Sequence, residues 1–193
     1  MRVLFLGDVV GISGCSKILN NLKDQIKKRD INFVIVNGEN SAEPGVGLTK
    51  EVCNDFFNCG VDVITTGNHV WDQKEIMSYI EKENRLLRPH NLFEPSPGKG
   101  FEIYETSNNL KIGVLNLMGN VFMKKCENVF EASTKFLKNY KLKENYDLLI
   151  VDFHGEITSE KNAIGHYFDG EATMVIGTHT HIPTNDARIL KNG

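Results

Sequence analysis

A chain of 193 residues, 40% hydrophobic and 24% charged, has the composition of a globular protein with enough core for one domain. Its formal net charge of -3 gives no reason to expect a nucleic-acid polymer or an anionic membrane as partner, although a small phosphorylated substrate needs only local positive charge. Cys15, Cys53, Cys59 and Cys126 show neither zinc-ribbon nor redox spacing and no disulfide framework, so they read as reduced thiols of a cytoplasmic protein. The N-terminal apolar run reaches Gly7-Asp8 too soon for a signal peptide, and no run approaches membrane-spanning length.

In chain order, Arg2 to Leu6, Phe33 to Val36, Val61 to Thr65, Lys111 to Leu117, Leu148 to Phe153 and Ala172 to Ile176 read as buried strands. Helical patterns fill the gaps. Residues 16 to 28 place Ile18, Leu19, Leu22 and Ile26 on one face, with Lys23, Lys27, Lys28 and Arg29 as a solvated face. Thr49 reads as the N-cap of a helix through Phe57, and Asp72 with Glu75 as a capping-box start for the next, with the orienting of a neighbouring site group as the alternative for Asp72. Phe101 to Glu105 alternates like a strand with one wet face and predicts a hairpin with Lys111 to Leu117, turning at Asn108-Asn109. Such alternation predicts an α/β fold. Ala187 to Leu190 reads as a last strand and Asn192-Gly193 as a hairpin turn without a return strand, which predicts one domain over residues 1 to 193 lacking its C-terminal strands.

Chemistry collects where those strands end. Gly7-Asp8 follows the first, Asn37-Gly38-Glu39-Asn40 the second and Gly67-Asn68-His69 the third, while the later runs end in Asp152-Phe153-His154 and in Gly177-Thr178-His179-Thr180-His181. Parallel strands in α/β sheets gather their carboxyl ends along one edge, where such folds hold ligands, so these segments are expected to converge. Asp8, Glu39, Asn40, Asn68, His154, His179 and His181 offer mixed oxygen and imidazole donors, enough for two metal ions, and the absence of cysteine favours Mn, Fe or Zn in hydrolytic chemistry. Each has a bland reading too. Asp8 and Glu39 suit helix N-caps, Asn68 a turn, and His90 and His166 structural or surface positions. Gly7, Gly11 and Gly14 match neither dinucleotide nor Walker spacing.

The motif set resembles the calcineurin-like metallophosphoesterases in Gly67-Asn68-His69 and Gly177 to His181, but Val10 stands where their first histidine would be and Glu39-Asn40 replaces the bridging Asp. Those departures, with Gly7 to Gly11, Asn37 to Asn40, Gly67 to Asp72 and Asp152 to Lys161, resemble the YmdB-like cyclic-nucleotide phosphodiesterases. The resemblance implies a β-sandwich flanked by helices in four layers, α/β/β/α. It implies a hydrolase using two metal ions, Fe or Mn ahead of Zn, to open 2′,3′-cyclic and also 3′,5′-cyclic nucleotides by metal-hydroxide attack. Asp8, Glu39, Asn40 and His181 would hold one ion, Glu39, Asn68, His154 and His179 the other, with Glu39 bridging and His69 as general acid. A homo-oligomer is also implied, with no interface legible in the sequence. Asn120 stands where the subfamily pattern has an Arg, a change the resemblance implies would weaken a substrate contact, and Ile12-Ser13-Gly14 stands in place of a Pro-rich turn. A nucleotide phosphomonoesterase and a regulatory metal-binding module with slow catalysis are the alternatives, since fold does not fix substrate.

Overall fold

A computed structural model describes all residues from Met1 to Gly193. Contacts divide the chain into two compact units: Met1–Arg88 with Pro97–Lys99, and Pro89–Ser96 with Gly100–Gly193.

The first unit alternates strand and helix: β1 (Val3–Leu6), α1 (Gly11–Arg29), β2 (Phe33–Asn37), α2 (Lys50–Cys59), β3 (Val63–Thr65) and the short α3 (Ile76–Tyr79). Its three strands are parallel in the order β1-β2-β3. Every residue of β2 and β3 is buried, the mark of parallel strands covered on both faces. Thr49 caps α2 as its sequence predicts, its hydroxyl accepting from Val52 N.

Two expectations fail here. α1 begins at Gly11 rather than near residue 16, because Gly11 takes a left-handed φ of 56° and its N–H reaches Asn40 O at 2.8 Å, starting the helix directly after the loop. The buried stripe of α1 consequently runs through Cys15 and Leu22, flanked by half-buried Ile18 and Ile26, and Leu19 lies outside it. Asp72 is no helix cap. Residues 70 to 75 form turns and α3 starts only at Ile76, which leaves the Asp72 carboxylate for another partner.

The second unit holds β4 (Phe101–Glu105), β5 (Lys111–Met118), α4 (Val129–Asn139), β6 (Leu148–His154), α5 (Thr158–Tyr167) and β7 (Met174–Thr178). β4 and β5 make the expected antiparallel hairpin, with Asn109 at a left-handed φ of 59° in its turn. β5, β6 and β7 are parallel, in register so that Met118 lies beside His154 and His154 beside Thr178. The chain is therefore mixed α/β, with two sheets flanked by helices.

Aromatic packing holds the second core. Phe136 from α4 meets Phe101 edge-on at 4.8 Å and stacks on Tyr140 at 5.1 Å, beside fully buried Leu115, Leu149 and Phe153. Ala187 to Leu190 does not form the predicted strand. That segment is exposed and held by side chains instead, Arg188 donating to Asn162 Oδ1 at 2.7 Å. No helix is long and apolar enough to cross a membrane.

All four thiols are free. Burial raises the pKa of each, pushing Cys126 up to about 11 and Cys53 further still, so none is a ready thiolate at neutral pH. Native protein at pH 8 is expected to react slowly with a chromogenic disulfide reagent and to release four equivalents at once on unfolding in guanidinium. Fast reaction of the native thiols would contradict this assignment.

Candidate metal centre

In the first unit, three loops at the carboxyl edge of β1-β2-β3 are tied to one another through the backbone. Val9 N donates to Asn37 O at 2.9 Å, Gly11 N to Asn40 O at 2.8 Å, and Gly38 N to Thr65 O at 3.0 Å. These bonds set Asp8 beside the Asn37 to Asn40 loop, and Asp8 itself adopts a positive φ of 23° that few non-glycine residues tolerate. Glu39 is fully buried. Its Oε1 accepts from Asn40 Nδ2 at 3.1 Å and its Oε2 from the backbone N–H of His69 at 3.0 Å. A buried carboxylate is tolerated only with such donors. Because Asn40 spends its amide N–H on Glu39, its Oδ1 is the atom that brings ligand lone pairs.

The same third loop carries Asn68 and His69, both half-buried. His69 Nδ1 lies 2.7 Å from Asp72 Oδ2. A carboxylate can only accept, so Nδ1 carries the hydrogen and Nε2 points its chemistry elsewhere. This is the work of Asp72, and the GNHxWD spacing that carries it is legible in the sequence.

In the second unit, a chain of contacts runs through the ends of β6 and β7. Thr178 Oγ1 donates to Asp152 Oδ1 at 2.7 Å, and His154 Nδ1 lies 3.0 Å from the same Oγ1. The hydroxyl has one hydrogen, already given to Asp152, so His154 Nδ1 must be the donor. His154 is thereby fixed as the tautomer whose Nε2 bears the lone pair. That Nε2 lies 3.1 Å from His179 Nδ1, and His179 Nε2 lies 2.9 Å from Glu156 Oε2. With its Nε2–H given to Glu156, a neutral His179 likewise presents a lone pair at Nδ1.

With both rings neutral, two lone pairs face each other at 3.1 Å, an arrangement that a proton or a metal ion between them relieves. Nitrogens each about 2.1 Å from one zinc-sized ion are at most about 4.2 Å apart, so the pair fits a shared metal ion. Imidazoles held from behind by Thr178 and Glu156 are the usual support of such a site. His181 sits two residues on, exposed, at a φ of 53°.

Each unit therefore holds part of the predicted donor set: Asp8, Glu39, Asn40 and Asn68 with His69 in the first, His154, His179 and His181 in the second. Asp152, Thr178 and Glu156 were not singled out by sequence. The i, i+2 spacing of Asp152 and His154, which places both on one face of β6, was the available signal for the first of these.

A family model described as "YmdB-like protein" matches residues 4–193. The chain belongs to the YmdB-like family. It is 41% identical over 193 residues to the 2′,3′-cyclic-nucleotide 2′-phosphodiesterase of Bacillus subtilis, covering 100% of this chain and 72% of that protein. The crystal structure of a hypothetical protein from Thermus thermophilus superposes with a TM-score of 0.92 at 40% identity, over 100% of this chain and 73% of that one. The crystal structure of a novel phosphatase from Mycoplasma pneumoniae gives a TM-score of 0.89 at 39% identity, over 100% and 69%.

Thr178→Val keeps the shape of the side chain but strands the hydrogen-bonding groups of Asp152 and His154. The expected loss is about 1–3 kcal/mol in urea unfolding, with Thr178→Ser retaining most of the stability. Equal stability of Val and Ser variants would contradict the proton assignment.

Proposed function

We propose that this protein is a phosphoester hydrolase with a binuclear metal centre, a phosphodiesterase that opens 2′,3′-cyclic and also 3′,5′-cyclic nucleotides to nucleoside monophosphates. The observation that carries the reading is the pair of fixed imidazole nitrogens, His154 Nε2 and His179 Nδ1, facing each other at 3.1 Å. The name of the Bacillus subtilis relative supports the substrate class.

In this reading the donors of both units serve one catalytic domain. Asp8, Glu39, Asn40 and His181 hold one ion, and Glu39, Asn68, His154 and His179 the other. One carboxylate and two imidazoles, Glu39, His154 and His179, would form the heart of that donor set. Fe or Mn suits the mixed oxygen and nitrogen donors ahead of Zn. When bound, the ions supply positive charge to the phosphoryl oxygens and acidify a water near neutral pH.

The chain's own residues do the rest. The backbone N–H of His69 and the amide of Asn40 hold both oxygens of Glu39, which keeps this carboxylate from rotating. Asp72 holds Nδ1 of His69, so the ring delivers a proton only from Nε2. For a 2′,3′-cyclic substrate, water gives one proton to solvent, its oxygen forms a bond to phosphorus as the P–O2′ bond breaks, and O2′ receives the Nε2 proton of His69 in its imidazolium form. The products are a nucleoside 3′-phosphate and a deprotonated His69, which solvent reprotonates. A substrate this small needs no extended basic surface, in keeping with the net charge of -3.

Phosphomonoester hydrolysis is the second reading, favoured by the description of the Mycoplasma pneumoniae structure as a phosphatase. Turnover with Mn or Fe supplied separates the two. The diesterase reading expects 2′,3′-cyclic AMP and bis(p-nitrophenyl) phosphate to be cleaved faster than p-nitrophenyl phosphate. The reverse order would favour the monoesterase, and no turnover of any would overturn both.

His69→Ala is expected to lower kcat about 10²–10⁴-fold, the range of a lost general acid, while elemental analysis still finds the metal. Loss of metal in that variant would overturn the role given to His69. Asp72→Asn should fall between wild type and His69→Ala in kcat.

A further inference from the structure

We propose that Lys161 is a positioning residue that holds the His179-Thr180-His181 turn in the shape that aims its two imidazoles, acting through Thr180 rather than on the substrate. The proposal rests on the metal-centre reading above.

The turn is strained at both histidines. His179 has a φ of 95° and His181 a φ of 53°, left-handed values that cost a residue with a Cβ and persist only where the surroundings enforce them. Thr180 lies between the two, and its Oγ1 accepts a hydrogen bond from Lys161 Nζ at 2.9 Å. The donor is charged, which makes this stronger than a contact between neutral groups.

Lys161 is also trapped along its length. A Cβ on Gly177 would lie 2.9 Å from Lys161 Cδ and 3.4 Å from Cγ, so the lysine stem lies flat across the strand at the one residue that leaves room. At the other end Lys161 belongs to α5, its N–H bonded to Ile157 O at 3.2 Å. That helix is anchored by Ile164, fully buried, and by the neighbouring Glu160. The Glu160 carboxylate takes the backbone N–H of Asn120 at 2.9 Å and of Val121 at 3.4 Å. A lysine on a helix so fixed transmits that rigidity to Thr180.

Lys161 ends the Thr158-Ser159-Glu160-Lys161 run, which the proposed reaction leaves without a task. Its ammonium donates to a hydroxyl that lies between the two histidines of the proposed donor set.

The test uses the full chain, stripped by chelator and titrated calorimetrically with Mn²⁺, with the bound ions counted by elemental analysis. Lys161→Met keeps the stem and removes the donor. It should weaken Mn²⁺ binding about tenfold, as the loss of supporting groups around metal ligands does, while the melting temperature of the metal-free protein stays close to wild type. Thr180→Val should reproduce that loss, Thr180→Ser should keep wild-type affinity, and the Lys161→Met, Thr180→Val double variant should be no weaker than either single one. Wild-type affinity in Lys161→Met, or losses that add in the double variant, would overturn the proposal. Should Lys161→Met fail to fold, the contrast of Val with Ser at position 180 decides in its place. Wild-type protein that takes up no Mn²⁺ or Fe²⁺ would overturn the metal-centre reading itself, an outcome distinct from a metal-binding wild type with an indifferent Lys161 variant.

Discussion

The hydroxyl hydrogen of Thr178 fixes more of this protein than its size suggests. It can go to one acceptor, and it goes to the buried Asp152 carboxylate, which obliges His154 to donate from Nδ1 and to turn its lone pair outward at Nε2. Glu156 imposes the complementary choice on His179. With both rings neutral, the 3.1 Å gap between them is flanked by two lone pairs, which a proton or a metal ion bridges. The parallel register of β6 and β7, which sets His154 beside Thr178, is what makes that proton count come out.

In the first unit the same economy is achieved with backbone groups. Glu39 receives its hydrogen bonds from an amide one residue away and from a main-chain N–H thirty residues on, so its orientation depends on the packing of two loops rather than on a rotamer alone. Those loops are held by main-chain bonds between successive strand ends, and the fully buried β2 beneath them cannot shift without opening the core. Precision of donor placement is thus a property of the sheet edge. Side chains on regular elements with short, mutually bonded loops are better positioned than side chains on long free ones.

Much of this was legible in the chain. The six apolar runs fall on observed strands, of which β2, β3, β5 and β6 are buried almost throughout as parallel strands covered on both faces are, while β1 and β7 are only half-buried. The hairpin turn at Asn109 was legible for a similar reason, since Asn tolerates the left-handed backbone the turn needs. What was not legible turns on partners remote in sequence. α1 starts a full turn early because Gly11 bonds to Asn40, and no local pattern encodes that bond. Asp72 is a nearer case, since a local rule reads it as a cap or as an orienting group and only the coordinates give its carboxylate to His69, three residues away. Ala187 to Leu190 has the composition of a strand, but strands require a pairing edge, and Arg188 bonds to α5 side chains instead. Of the donor set, the residue types and spacings were readable; the tautomers, which decide what the imidazoles can do, required coordinates.

The left-handed backbone at His179 and His181 has an effect unrelated to ligands. β7 is an outer strand of its sheet, and an outer strand offers unpaired main-chain groups to any other chain that approaches. A strand can lengthen only while its residues stay extended, and His179 leaves that region immediately after Thr178, so β7 stops at five residues. The conformation that directs two side chains thereby shortens the exposed ladder to a length that makes a poor template for aggregation.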